Sequence, residues 1–284
     1  TGLHPFKTKY PERFFDVGIA EEHAVTFSGA MAASGMRPVF AVYSSFLQRG
    51  YDQILHDVCL QDLPVFFAVD RSGLVGADGE THQGIFDISY LSNIPNLTLM
   101  APKDDLELKE MMRFGLQLPG PVAMKYPRGK VYTGLHDHRE PIRLGKSELI
   151  CKGQHAVILA VGNIIEECAA AVTALKEEGV RAGLVNVRFL KPFDEDLILN
   201  LAEEYPLIVT VEENQLTGGF GQNLSAFLHK QKADVRLLSL GIPDCYVKHA
   251  TVKEQRMMYG IDSSSICQSI SRELDRIREE NSHE

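Results

Sequence analysis

The residues whose types and spacing could do chemistry gather in three segments. In the first, Phe15-Asp-Val-Gly-Ile-Ala-Glu21-Glu22-His23-Ala, an apolar run meets a helical stretch and a carboxylate stands at the junction. Open α/β sheets take ligands beyond the carboxyl ends of their strands, so Glu21 sits where a functional carboxylate belongs. The same two glutamates also suit a plain helix N-terminus, where negative charge is stabilised by ~0.3–1 kcal/mol. Locally both readings stand for Glu21, and Glu22 is assigned to the second. The next segment is Tyr43-Ser-Ser-Phe46-Leu-Gln-Arg49-Gly-Tyr51-Asp, again a strand end leading into a helix. An aromatic ring and an arginine nearly one turn apart offer a stacking face and an anion clamp. A core Phe beside a surface Arg is the plainer alternative.

The third segment runs from Val69 to Gly84, carries four glycines, and mixes Arg71, Asp78 and His82 over 12 residues. A long glycine-rich loop after a strand is usually functional. It fits neither the phosphate loop GxxxxGK[ST] nor the dinucleotide GxGxxG. A lone loop histidine is commonly a surface residue, but here it shares the loop with Asp78 and Arg71. Arg128, in Tyr126-Pro-Arg-Gly, ends a further strand. Arginines converging on one sheet edge point to an anionic substrate, phosphorylated or carboxylated.

Other segments are discounted. Gly218-Gly-Phe-Gly221 has Leu224 where a nucleotide fingerprint needs its third glycine, and reads as a close helix–strand packing turn. His136-Asp-His138 lacks further ligands at metal spacing and reads as solvated, so no metal site is expected. Glu212 and Glu213, in Val211-Glu-Glu-Asn214, read as structural or interdomain.

Elements that position these residues follow from the apolar pattern. Buried strands are expected at Phe14–Ile19, Pro38–Tyr43, Pro64–Val69, Leu97–Met100 and Val122–Tyr126, with helices at Glu21–Ala33, Phe46–Gln61 and Asp105–Leu118. Asp104 and Glu107 form a capping-box signal for the last helix. Gly129–Pro141 lacks periodicity and reads as a linker. The alternation then restarts, with strands at Ala156–Val161, Ala182–Val187, Leu207–Val211 and Val235–Leu240. Helices follow at Glu166–Glu178, Glu195–Glu204, Gln222–Lys230 and Ser264–Glu279, the last with Ile266, Ile270, Leu274 and Ile277 on one face. The expectation is α/β, a parallel sheet with helices on both faces, followed by a second α/β domain. The domains are placed at residues 1–135 and 136–284, with the linker at about 129–145.

The bulk properties agree with a globular protein of one large or two ordinary domains, at 284 residues, 44% apolar and 24% charged. A net charge of −9 argues against nucleic acid or an anionic membrane as the main partner. No apolar run approaches the ~20 residues that span a bilayer. The five cysteines form no CxxC pair, which favours a reducing, cytoplasmic compartment over a disulfide framework. The sequence opens on Thr1 with no charged-then-apolar leader, giving the expectation of a start partway through a longer product, or of one removed.

Taken in order, Arg13–Phe27, Tyr43–Val58, Asp70–Asp87, Tyr126–Gly129, Arg188–Glu195, Thr210–Asn214 and Leu240–Asp244 resemble the 1-deoxy-D-xylulose-5-phosphate synthase family of transketolase-like thiamine-diphosphate enzymes. The Asp70–Asp87 loop carries most of the specificity. The resemblance implies a pyrimidine-binding domain followed by a transketolase C-terminal-like domain. It also implies decarboxylative condensation of pyruvate with D-glyceraldehyde 3-phosphate, in a cytoplasmic (in a plant, plastid) homodimer. By the same resemblance Glu21 bonds the cofactor's aminopyrimidine and shares a proton with it, and burial is expected to raise its pKa. Phe46 stacks on that ring, Tyr43, Arg49, Asp78 and the catalytic His82 surround pyruvate, and Arg71 and Arg128 grip the acceptor phosphate. The family holds Mg2+ and the diphosphate through a GDG motif in another domain. GDG occurs nowhere in this sequence, so that domain is expected in cis or in trans and the chain alone is expected to be inactive. Two other readings remain: a subunit of a split transketolase or 2-oxoacid dehydrogenase-like enzyme, and a non-catalytic module binding a phosphorylated metabolite.

Overall fold

Two five-stranded sheets organise the chain, seen here in a computed structural model that describes residues 2–130 and 132–282. Thr1, on which the sequence opens, and Val131, inside the expected linker, lie outside the described residues. The strands are β1 (Val39–Tyr43), β2 (Phe66–Asp70), β3 (Thr98–Met100), β4 (Val122–Lys125), β5 (Glu148–Cys151), β6 (Ala156–Ala160), β7 (Ala182–Asn186), β8 (Phe189–Lys191), β9 (Leu207–Gln215) and β10 (Arg236–Ile242). The first sheet runs β1-β2-β4-β3-β8 and the second β10-β9-β6-β7-β5. All pairings are parallel except the edge strands β8 on β3 and β5 on β7. The fold is thus two α/β units with mixed, mostly parallel sheets. Phe66, Phe67, Ala68 and Val69 of β2 are all buried, as an interior parallel strand covered on both faces requires.

The strand expected at Phe14–Ile19 does not form. That stretch lies outside both sheets, with Phe15 57% and Ile19 90% exposed, so its apolar residues mark surface and not core. The helix expected at Phe46–Gln61 is broken. Ser44–Leu47 gives way to a 3-10 turn at Gln48–Gly50, a short α turn at Tyr51–Gln53 and a π-helical turn at Ile54–Cys59. It packs backbone-close against helix Glu21–Ala33, since a Cβ at Gly50 would stand 2.9 Å from Val25 Cγ2 and one at Gly29 2.9 Å from Asp57 O. That closeness sets Glu21 beside Arg49.

β8 lies in the sequence between β7 and β9 of the second sheet, yet completes the first. Between the units lies a buried ionic cluster: Lys103 Nζ is 3.1 Å from Glu107 and 2.8 Å from Glu148, and Arg188 is 2.6 Å from Glu107 and 2.9 Å from Glu148. Asn186 donates to both carboxylates. His136 is not free in solvent as expected: its Nε2 lies 3.2 Å from Asp105 Oδ1 at the start of helix Asp105–Gly115. All five cysteines are free. Among the described residues no helix is long and apolar enough to cross a membrane.

Candidate functional site

The carboxyl ends of β1, β2 and β4 carry Tyr43, Arg71 and Arg128 to one edge of the first sheet, and the N-terminus of helix Glu21–Ala33 brings Glu21 beside them. All eight candidate residues join in one continuous cluster. Glu21 accepts two hydrogen bonds from Arg49, from Nε at 2.8 Å and Nη2 at 2.7 Å. The Arg49 guanidinium lies 4.9 Å over the Phe46 ring. Phe46 in turn stacks on Tyr43 at 5.2 Å and meets His82 edge-on at 5.4 Å. The Arg71 guanidinium covers the Tyr43 ring at 4.0 Å. Asp78 closes the cluster, with Oδ2 2.9 Å from Arg71 and Oδ1 2.6 Å from Arg128.

Glu21, Phe46 and Tyr43, with Val17, Gly18 and Phe40–Val42, line a cavity of about 150 Å³. A buried carboxylate beside an aromatic face gives that space one polar edge and one stacking surface, which a small planar ring would fit.

One electrostatic expectation changes. Glu21 was expected above the usual carboxylate range. Instead the hydrogen bonds from Arg49 hold it below, outweighing the opposite pull of burial. Asp78, expected around pyruvate, is clamped between two guanidiniums, and the bond from Arg128 above all holds its carboxyl below the ordinary value.

The Arg71–Gly84 loop is closed at its neck, where Gly73 and Gly84 exchange backbone hydrogen bonds of 2.7 and 2.8 Å. A side chain at Gly84 would bring its Cβ to 2.2 Å from Arg71 O. Beneath the neck is Asp87, fully buried and overlooked in the sequence. It accepts from Ser44 Oγ at 2.8 Å and from Ser72 Oγ, and pairs with Lys125 Nζ at 2.8 Å. It ties together the residues following β1 and β2 and the end of β4. Nothing marked it beyond its place at the end of the loop, because a single Asp after an apolar pair looks like a helix start.

In the second unit, Glu212 accepts from the amides of Phe220 and Gly221, and burial pushes its carboxyl up to about 7. A Cβ at Gly221 would lie 2.4 Å from Ser239 Oγ and 2.6 Å from Thr210 Oγ1, so this glycine serves close packing as expected.

Comparison with known proteins adds the wider setting. The family model for the transketolase pyrimidine-binding domain matches residues 1–133, and that for the transketolase C-terminal domain matches residues 145–266. Two curated relatives are both named 1-deoxy-D-xylulose-5-phosphate synthase. The chain is 49% identical over 272 residues to that of Syntrophus aciditrophicus and 52% identical over 273 residues to that of Synechococcus sp. (strain JA-2-3B'a(2-13)). Each alignment takes in 95% of this chain and 42% of the relative, so the chain spans less than half of either. A solved structure titled split gene transketolase, inactive beta4 tetramer, superposes with a TM-score of 0.84 at 24% identity, covering 95% of this chain and 87% of that one. The likeness of fold extends to transketolase from Campylobacter jejuni, with a TM-score of 0.75 at 20% identity over 91% of this chain and 39% of that one. With a transketolase pyrimidine-binding domain followed by a transketolase C-terminal domain, the chain belongs to the transketolase-like proteins.

Proposed function

We propose that this chain is the pyrimidine side of a 1-deoxy-D-xylulose-5-phosphate synthase, which condenses pyruvate with D-glyceraldehyde 3-phosphate and releases carbon dioxide. The observation that carries the reading is the adjacency of two sites. A carboxylate-and-aromatic cavity of about 150 Å³ lies beside a pair of arginines held by one aspartate. The division at residues 129–145 into a pyrimidine-binding unit and a C-terminal unit belongs to the same proposal.

Thiamine diphosphate, when bound, supplies a carbon nucleophile and a sink for the electrons released on decarboxylation. Glu21 and Phe46 would hold its aminopyrimidine ring, Glu21 by a hydrogen bond to the ring nitrogen and Phe46 by its face. Mg2+ and the diphosphate fall to a separate domain, in cis or in trans, because no GDG occurs in this sequence. Glu21 has to share a proton with the ring, and both its oxygens are engaged by Arg49. Arg49, 43% exposed, therefore turns outward as the ring enters, and its freed guanidinium meets the pyruvate carboxylate. His82, against the edge of Phe46, moves a proton at the reacting oxygen. Arg71 and Arg128 release Asp78 and take the acceptor phosphate. The enzyme works as a cytoplasmic homodimer.

A second reading, a subunit of a split enzyme, draws support from the fold likeness to a split-gene transketolase chain of nearly the same extent. The test is to join the chain with a diphosphate-binding domain and follow carbon dioxide release from pyruvate. Release dependent on D-glyceraldehyde 3-phosphate supports the synthase, whereas release with another acceptor alone, or none, counts against it. By itself the chain should bind thiamine diphosphate weakly, and submicromolar affinity would contradict that.

A further inference from the structure

In the second sheet β6 and β9 are neighbours whose onward connections leave in opposite directions, β6 towards β7 and β9 towards β10. The crevice beyond the carboxyl ends of such a pair is where open α/β sheets take their ligands. Here it is lined by Val161, Gly162 and Asn163 after β6 and by Glu213 on β9, and it is almost full, with about 10 Å³ of free volume. What fills it is the neck of the first unit's loop, Ser72 and Gly73. A Cβ on Gly73, which has φ +77°, would lie 2.5 Å from Glu213 Oε2, so only glycine admits this approach. The same oxygen accepts from Leu74 N at 3.3 Å. The other oxygen of Glu213 accepts from Arg256 Nε at 2.7 Å, and Arg256 is held in turn by Glu167 at 3.2 Å. On the far side of the neck Gln215 N donates to Ile85 O at 2.8 Å and Asn214 Oδ1 accepts from Ile88 N at 3.2 Å.

We propose that Glu213, fixed by Arg256, is a positioning residue for the anion site, its crevice gripping the neck of the loop whose tip carries His82 and sets Asp78 between Arg71 and Arg128. The inference rests on the proposed function in taking those two arginines as a phosphate site. The geometry argues for it in three steps. The loop is closed at its neck by one pair of backbone bonds between two glycines and by Val75 N donating to Gln83 Oε1 at 2.9 Å, bonds that fix its shape and not its orientation on the sheets. Its neck is therefore oriented by whatever holds it. On its Gly73–Leu74 side what holds it from the second unit is a charged side chain, 4% exposed and committed to an arginine, which cannot turn away without breaking the 2.7 Å bond from Arg256 Nε.

The experiment uses the 284-residue chain, wild type and Glu213→Ala, with inorganic phosphate as probe. Amide exchange across residues 73–84 is expected to rise at least ~10-fold and phosphate affinity to fall about 10-fold, the scale of losing a hydrogen bond to a charged group, with β6 amides unchanged. Unchanged loop exchange overturns the proposal, and so does an equal rise in β6, which would make Glu213 a general prop of the fold. A faster loop with undiminished phosphate affinity overturns it as well. Should Glu213→Ala not fold, Glu213→Gln keeps the volume and one acceptor. It is expected to shift both readouts the same way by a smaller factor, and no shift overturns the proposal. Neither readout needs turnover, so a failure to condense counts against the proposed function alone. A wild-type chain that binds no phosphate counts against both.

Discussion

Arg49 donates from Nε and Nη2 to the two carboxylate oxygens of Glu21, at 2.8 and 2.7 Å, and so closes the carboxylate that faces the cavity. Such a fork-to-fork pair is planar and bidentate, which suits a guanidinium and no other side chain. Because Arg49 lies at the surface and Glu21 is buried, the arginine is the partner free to move.

The pair has a pH signature. Glu21 is depressed in the fold, mainly by the hydrogen bonds from Arg49, relative to an ordinary value of 4.5. A depressed carboxyl contributes stability that is present above its unfolded pKa and lost as pH falls through the folded one. Carbon-detected titration of the Glu21 carboxyl should give a midpoint below 4.5 in the wild type. Arg49→Met should raise that midpoint, leaving burial as the dominant influence, and remove the associated loss of stability in acid. An unshifted midpoint in Arg49→Met would show that Arg49 does not hold Glu21 in solution.

Asp78 lies between Arg71 and Arg128, the two arginines that the proposed function assigns to phosphate. Asp78→Asn keeps the shape and removes the charge, so inorganic phosphate should bind the chain ~3–10-fold more tightly, measured calorimetrically. Arg128→Met should weaken it by a similar factor. Weaker binding in Asp78→Asn would instead make Asp78 a direct ligand contact.

The buried cluster between the units makes a stability prediction. Lys103→Met leaves the two negative charges of Glu107 and Glu148 to the single positive charge of Arg188, with Asn186 as the remaining neutral donor. Breaking a buried pair from one side costs ~3–5 kcal/mol. Denaturant unfolding should register that loss, and a change under ~1 kcal/mol would mean the cluster is already hydrated.

Much of this was legible in the sequence because a parallel α/β pattern writes its interior strands as short apolar runs. β2, β6 and β9 fall where those runs lie, and helix Glu21–Ala33 has the bounds its periodicity gives. Tyr43, Arg71 and Arg128 were legible as strand-end polar groups, and all eight candidates converge, Glu21 from a helix start, Phe46 and Arg49 from the turns after β1, and Asp78 and His82 from the loop. What misled was apolar surface: Phe15 and Ile19 look like core because one chain's sequence does not say which apolar residues are covered. β8 was missed because three residues ending in Lys191 carry no period. The partners within the site were also illegible. Glu21 with Arg49, and Asp78 with Arg128, are separated by 28 and 50 residues, and only the packed helices and adjacent strand ends bring them together. The depressed Glu21 pKa follows mainly from that packing, which brings Arg49 to it.

The central claim is that Glu21 shares a proton with a bound aminopyrimidine. Its most direct test is turnover of Glu21→Ala beside the wild type, each joined with a diphosphate-binding domain. The account predicts a fall of at least ~100-fold, the low end for general acid–base assistance, with the fold intact. Near-normal turnover in Glu21→Ala would contradict it.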